Sequence, residues 1–450
     1  MSSLTTQVKV SNFIESSLFS QISTWQKLLK EGNLYEFENQ ISRCMGDLQN
    51  EISECLVKEA AEDLSLPLTE RGRQEGGRKI EMRSCTIRLA SGHSVKVASP
   101  YVKQPKEGWQ GSRHLLARHW GIIAGASPGL YDKVGYCAAL GPSYDIAYQT
   151  LNKFGVQISK SSVRDLTNRL GEHCTGIGEE NLVLKPNETL AGKRVVISLD
   201  GGRTRMREYI EPEDGNTAKK YETPWREPKL FVIDVLDESG RPARYELPIY
   251  GVRFAPEALF DLLRSYLSIL QIDQAEQVQI IADGAPWIWN YVKPLLEELG
   301  VESCRIIETL DYYHASNYVH QLVEQMPKRI NKRQRKCYLA QFEECLWQGL
   351  VQNIVRQCRE IFQRGSQEVK RWINYLDKHQ EKMQYADFEQ NKLMCGSGIV
   401  ESAIRRIINL RFKNAATFWN QDTVEKLFCL RAALLSKRWD TLINNLANVT

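Results

Sequence analysis

The apolar positions change period several times along the chain, and each change marks an element. From about Ser11 to Asp63, Phe13, Ile14, Leu18, Ile22, Trp25 and Leu29 recur at helical spacing, which predicts a helical N-terminal segment packed on its neighbour rather than a coiled coil. Residues 64–77, mostly polar and interrupted by Pro67, read as a linker. Alternation then takes over: Ile87 and Leu89 against Val95 and Val97, around Ser91-Gly92-His93, predict a β-hairpin. Helical spacing returns in a helix from Ser143 to Lys153, a turn at Gly155, and a second helix from Lys160 to Leu170. Ser159 is its expected N-cap and Gly171 its expected C-terminal stop. Ala147, Leu151, Val156, Ile158, Val163, Leu166 and Leu170 form the seam, leaving Lys160, Ser161, Ser162, Arg164, Asn168 and Arg169 outside. A DNA-reading helix-turn-helix has this pattern, and so does a plain helical hairpin.

After Gly192 the runs become short and apolar. RVVISLD predicts a strand ending at Asp200, followed by strands KLFVIDVLD and RYELPIYGVRF joined at Glu238-Ser239-Gly240-Arg241. A helix from Pro256 to Leu270, a strand ending at Asp283, a helix from Pro286 to Leu299 and a strand ending at Asp311 complete a βββαβαβ order. Right-handed crossovers put the last two strands parallel to the first, so the three aspartates share the carboxyl edge of one sheet. Beyond His314 the spacing is helical through Leu339, Phe342, Leu346 and Leu350, then Val369, Trp372, Ile373 and Leu376. A last helical region carries Glu401, Ile404, Ile408, Leu427, Leu430 and Leu434.

Composition narrows the class. With 450 residues and a formal charge of +4, the chain is long enough for two or three domains, and any basic surface must come from uneven distribution. Eleven cysteines form no CxxC pair or zinc spacing and read as reduced thiols of a cytosolic protein. No apolar run reaches the roughly 20 residues of a membrane span, and the start has no signal-peptide pattern, so a cytoplasmic protein is expected.

The chemistry gathers at strand ends. Asp200 and Asp283 each close an apolar strand and precede glycine, in LDGG and ADGA, which would let a substrate or ion approach. Neighbouring carboxylates repel unless a cation lies between them, and oxygen ligands suit Mg²⁺ or Mn²⁺. An Asp-Gly turn, or an N-cap role for Asp283, would explain either residue singly. Glu401, in the first turn of a helix entered through Gly396-Ser397-Gly398, is the candidate third carboxylate, although glutamate also suits a helix start. Strand-Asp, strand-Asp, helical segment, helix-Glu is the order of an RNase H-like nuclease fold. Asp311 and His314 form a D-x-x-H pair one helical turn apart, suited to a phosphate or leaving-group contact or to a structural cap. Two basic clusters stand out: Lys328–Lys336, with six basic residues in nine, and Arg405, Arg406, Arg411 and Lys413, followed by Trp419, Lys426 and Arg431. The second reads as a DNA track, with Trp419 stacking on a base; Trp287 and Trp289 read as core.

SLDGGR, IADGAPWIW, LDYYH and GSGIVESAIRRIINLRFKNAATFW, in that order, resemble insertion-sequence transposases of the DDE class, closest to the ISKra type of the Mutator-like clan. The resemblance spans about Gly192 to Leu435. It departs at Lys413-Asn414-Ala415-Ala416, where a glycine would precede the tryptophan. It implies Asp200, Asp283 and Glu401 as catalytic and metal-binding, with Asp200 bridging two Mg²⁺ or Mn²⁺ ions about 3.5 to 4 Å apart. Asp311 and His314 become an accessory motif. Lys160, Arg164, Arg169, Arg405, Arg406, Arg411, Lys413 and Trp419 become DNA contacts, to terminal inverted repeats and to target DNA. A homodimer or larger assembly in the bacterial nucleoid is implied. The domains expected are a helical segment and linker (1–77), a mainly helical DNA-binding region with the hairpin and helix-turn-helix (78–180), an α/β RNase H-like core (190–314), an all-α insertion (315–394) and C-terminal helices returning to the core with the glutamate (395–450). A nuclease or resolvase that does not join strands, and a domesticated, non-catalytic DNA-binding protein, are the alternatives.

Overall fold

The computed structural model describes residues 2–109, 111–210, 220–413 and 417–449, and these divide into two compact units: 1–182 with 439–450, and 183–438. No helix among the described residues is long and apolar enough to cross a membrane.

The first unit opens with α1 (Ser2–Phe13), a π turn (Ile14–Leu18), a 3₁₀ turn (Phe19–Gln21) and α2 (Ile22–Lys30), and then α3 (Leu34–Gln74). The expected linker at 64–77 is therefore mostly helix. Pro67 removes one backbone donor, but Ala61 and Leu68 on the same helix are buried with the hairpin residues Ile87, Val95 and Val97, and that burial holds the helix together. The hairpin pairs β1 (Arg78–Arg88) with β2 (Ser94–Gln104), Ile87 opposite Val95 and Cys85 opposite Val97. Helices α4 (Leu115–His119), α5 (Pro128–Leu140), α6 (Tyr144–Lys153) and α7 (Lys160–Ile177) follow. Ser159 caps α7, its Oγ accepting the Ser162 N–H at 3.2 Å. Gly171 does not end that helix. The buried stripe Val163, Leu166, Leu170 continues to Cys174, and the chain turns only at Gly178, with φ of 94°. The C-terminal helix Trp439–Val449 also belongs to this unit and not, as expected, with the rest of residues 395–450. Its Trp439 packs where a β-carbon on Gly135 would lie 2.9 Å away, and Trp439 Nε1 donates to Asp132 at 2.7 Å.

A short helix, α8 (Glu179–Val183), leads to the second unit. Its centre is a five-stranded sheet. The chain forms β3 (Arg194–Gly201), the small strands β4 (Thr204–Arg205), β5 (Glu208–Ile210), β6 (Lys220–Glu222) and β7 (Trp225–Arg226), then β8 (Lys229–Leu236) and β9 (Ile249–Arg253). The last begins later than RYELPIYGVRF suggests, just past Pro248, which has no N–H for a ladder. Helix α9 (Pro256–Ile269), β10 (Gln277–Ala282), α10 (Pro286–Trp289), α11 (Val292–Glu298) and β11 (Ile306–Leu310) complete the crossovers, the expected single helix 286–299 breaking at Asn290 and Tyr291. The order is β11-β10-β3-β8-β9, with β3, β10 and β11 parallel and β8 antiparallel to both neighbours. Its strands are buried on both faces, which is why they read as continuous apolar runs. Helices α12 (Tyr312–Glu324), α13 (Lys332–Trp347), α14 (Val351–Ile361), α15 (Gln367–His379) and α16 (Tyr385–Gln390) build a separate core around Phe342, Ile354 and Leu376. The chain returns through α17 (Gly398–Ile404), a π turn (Arg405–Asn409), α18 (Leu410–Phe412) and α19 (Gln421–Leu435).

Candidate active site

The register of the sheet aligns the aspartates. Leu199 pairs with Ala282, and Ala282 with Leu310, so the next residues, Asp200, Asp283 and Asp311, stand in a row at the carboxyl ends of adjacent parallel strands. Glu401 comes from α17, and the structure shows how that helix is aimed. Gln279, fully buried in β10, donates from Nε2 to Met394 O at 2.7 Å and accepts the Met394 N–H at 3.0 Å. Tyr312 N donates to Cys395 O at 2.9 Å, and Ser397 Oγ donates to Asp311 Oδ2 at 2.8 Å. The segment entering α17 is thus fastened to the sheet beside the aspartates, and the first turn of the helix brings Glu401 back to them.

The electrostatics agree with this convergence. Burial pushes the Asp200 carboxyl up to about 6; the negative charges of Asp283 and Glu401 push the same way, against the Gly201 N–H and His314. Asp283 Oδ1 accepts the Ala285 N–H at 2.9 Å, and its carbonyl accepts the Trp289 indole N–H at 2.7 Å. Asp311 is fully buried, caps α12 by accepting the Tyr313 N–H, and is otherwise spent on Ser397. His314 Nε2 lies 3.8 Å from Asp311 Oδ2. Among the described residues, Asp311, His314 and exposed Glu401 bring ligand atoms within 4.8 Å of one another; Asp200 and Asp283 are not in that set. Asp311, His314 and Glu401, by the closeness of their ligand atoms, and Asp200 and Asp283, by their place in the strand-end row, are the residues that could hold a hard divalent cation.

The glycines after the aspartates do not open the site to substrate. A β-carbon on Gly284 would lie 2.1 Å from the Tyr375 ring of α15, and one on Gly202 would lie 2.6 Å from Ile408. They admit protein side chains. Gln279, Ser397 and Tyr375 escaped the sequence reading. A glutamine inside an otherwise apolar strand was a usable signal for the first, while nothing marked Tyr375.

The basic residues divide. Lys160 pairs with Asp145 at 2.7 Å, Arg164 with Asp165 at 3.1 Å, and Arg169 is exposed on α7. Arg405 and Lys413 are exposed, and Arg406 Nη2 donates to the Tyr250 hydroxyl at 2.8 Å. Arg411 and Trp419 are not on a DNA track: Arg411 is fully buried with its guanidinium 5.2 Å from the Trp419 ring, and Trp419 is packed edge-on against Phe412. Arg431 is buried too, donating to Ile407 O and Arg406 O, carbonyls of the π turn. In the first cluster, Arg335 donates to the carbonyls of Glu324, Met326 and Ile330, closing the end of α12. Trp287 and Trp289 are half-buried rather than core, each under a lysine, Lys229 and Lys382. Residues 414–416 of the divergent Lys413–Ala416 stretch lie outside the described residues.

Neither a protein-family model nor a curated protein sequence matches the chain. Among solved structures, a chain of the Drosophila P element transposase strand transfer complex aligns at 13% identity over 74% of this chain and 84% of that one, with a TM-score of 0.26. That likeness is too slight to bear on fold or function.

Proposed function

We propose that the second unit is an RNase H-like catalytic domain and the protein a DDE-class transposase that cleaves DNA at the ends of its element and joins the 3′-hydroxyl to a target. The observation that carries this reading is the register that sets Asp200 beside Asp283, with Glu401 contributing to the same electrostatic field. Asp200, half-buried at the end of β3, would hold the metal together with Asp283 and Glu401. Bound Mg²⁺ or Mn²⁺, as two ions, would supply Lewis acidity at the attacking and leaving oxygens. Asp311 acts through Ser397 as a positioning residue, and His314, exposed beside it, is placed to contact a scissile phosphate. The first unit, with the helix pair α6 and α7, reads the element ends, and cutting two ends together calls for a dimer or larger assembly. Lys160, Arg164, Arg169, Arg405, Arg406 and Lys413 remain the proposed DNA contacts; Arg411 and Trp419 do not.

Asp283→Asn tests the site. Loss of Mg²⁺-dependent cleavage and joining of element-end DNA, with DNA binding retained, is expected; unchanged chemistry would refute it. Supplying pre-cut 3′-hydroxyl ends separates transposition from simple hydrolysis, because a nuclease would cut but not join.

A further inference from the structure

The first unit holds a cleft of about 880 Å³ between the outer face of β1, the segment 111–125 that includes α4, and the second half of α7. Arg118 and Arg169 line it together with Ser84, Thr86 and Ser112, and no aspartate or glutamate is among its lining residues. Register places Lys96 opposite Thr86 on the same exposed face of the hairpin. Arg118 is shared with Glu75, 2.7 Å away, so Arg169 is the cation the cleft presents most openly. The loop wall is held in unusual backbone: Gly111 and Gly125 have φ of 79°, and Ala124 has φ of 50° without being glycine. Two histidines in the lining, His114 and His173, each keep a buried ring nitrogen with no hydrogen-bond partner among the described residues. The exposed Arg169 guanidinium, hydroxyl donors and an adjacent lysine, with no carboxylate among the described lining residues, form an environment for an anion, and the volume suits a nucleotide-sized group.

We propose that this cleft takes a backbone phosphate of duplex DNA, gripped by Arg169 and the hydroxyls of Ser84, Thr86 and Ser112. The inference rests on the DNA-binding reading of the first unit and gives that unit a phosphate clamp beyond the two-helix reading. Phosphate contacts position a duplex without reading its sequence, so a short random-sequence duplex is a sufficient probe for the full-length protein.

Arg169→Gln and, separately, Thr86→Val are compared with wild type by fluorescence anisotropy from about 50 to 200 mM salt, alongside thermal unfolding with and without inorganic phosphate. Arg169→Gln is expected to weaken DNA binding about 5- to 20-fold and lower the salt slope by about one, with an unchanged melting temperature. Thr86→Val, which removes a hydroxyl at constant shape, should weaken it about 2- to 5-fold. DNA affinity and salt slope unchanged in both variants would overturn the clamp and remove Arg169 from the DNA contacts, while leaving the DNA-binding reading of the other basic residues intact. Stabilisation by inorganic phosphate that depends on Arg169, without any change in DNA affinity, would overturn it in favour of a small-anion site. Failure of the wild-type protein to bind any DNA would sink the DNA-binding reading itself.

Discussion

Ser397 Oγ donates to Asp311 Oδ2 at 2.8 Å, joining two buried residues 86 positions apart. The bond reaches from the end of β11 to the loop that opens α17, so it governs where Glu401 points. Removing the hydroxyl leaves a buried carboxylate short of a donor, which costs about 1–3 kcal/mol. Ser397→Ala should therefore lower stability by that amount in urea unfolding. It should also reduce Mg²⁺-dependent cleavage by about tenfold or more, because misplacement of a catalytic group by a fraction of its contact distance is expensive. Cleavage unchanged in a destabilised Ser397→Ala protein would limit this bond to a structural role.

Asp200 links the site to folding. Its folded carboxyl titrates at about 6, above the ordinary 3.8, so the folded state holds a proton that the unfolded chain has already released between those values. The group's contribution is fully present below pH 3.8 and is lost as pH rises through 6. At pH 7.5 the metal-free Asp200→Asn protein should accordingly be more stable than wild type by about 1–3 kcal/mol. Millimolar Mg²⁺ should raise the melting temperature of wild type and leave that of the variant nearly still. The opposite ranking, with the variant less stable in EDTA, would mean that the carboxylates do not crowd as described.

Much of this arrangement was legible because its elements follow strong local rules. Strands buried on both faces read as largely apolar runs, and aspartates that end such runs stand out in β3 and β10. Glu401 was legible from its glycine-flanked helix entry, though not the Gln279 and Asp311 bonds that aim it. The errors came where tertiary burial overrode a local signal. Pro67 and Gly171 look like breaks, yet each lies in a helix whose stripe is buried beyond it, at Leu68 and Cys174. Arg411, Arg431 and Trp419 look like a nucleic-acid surface by composition. Arg431 is interior, donating to carbonyls of a π turn that no sequence period announces, while Arg411 and Trp419 are buried against each other and Phe412.

Gly284 and Tyr375 couple the inserted helices to the Asp283 turn. A methyl group at Gly284 would come within 2.1 Å of the Tyr375 ring and 2.3 Å of its hydroxyl oxygen. Gly284→Ala should cost about 1–3 kcal/mol by overpacking. In a Tyr375→Ala background, where the methyl group has room, the same change should cost much less, giving a coupling energy of about 0.5–3 kcal/mol in a double-mutant cycle. Additive effects of the two substitutions would show that the ring and the turn do not meet in solution.

His379 carries the clearest pH signature outside the site. It is 6% exposed at the end of α15, with its ring 4.9 Å from that of Tyr375. Burial pulls its pKa from 6.5 down to about 4; Lys378 and Lys382 pull the same way, and Glu308 opposes them weakly. As pH falls from 6.5 toward 4, the unfolded chain gains a proton that the folded protein refuses, so stability declines across that interval. The loss by pH 4 should reach about 2–3 kcal/mol from this group. His379→Gln removes the titration while keeping a polar side chain of similar reach, so it should flatten the pH dependence of urea unfolding between about pH 6.5 and 4. Near neutrality its cost should stay within about 1–2 kcal/mol, since the Nδ1 atom it removes has no hydrogen-bond partner among the described residues. Parallel pH profiles for wild type and variant would mean that His379 is already charged in the folded protein, with Glu308 rather than burial setting its state.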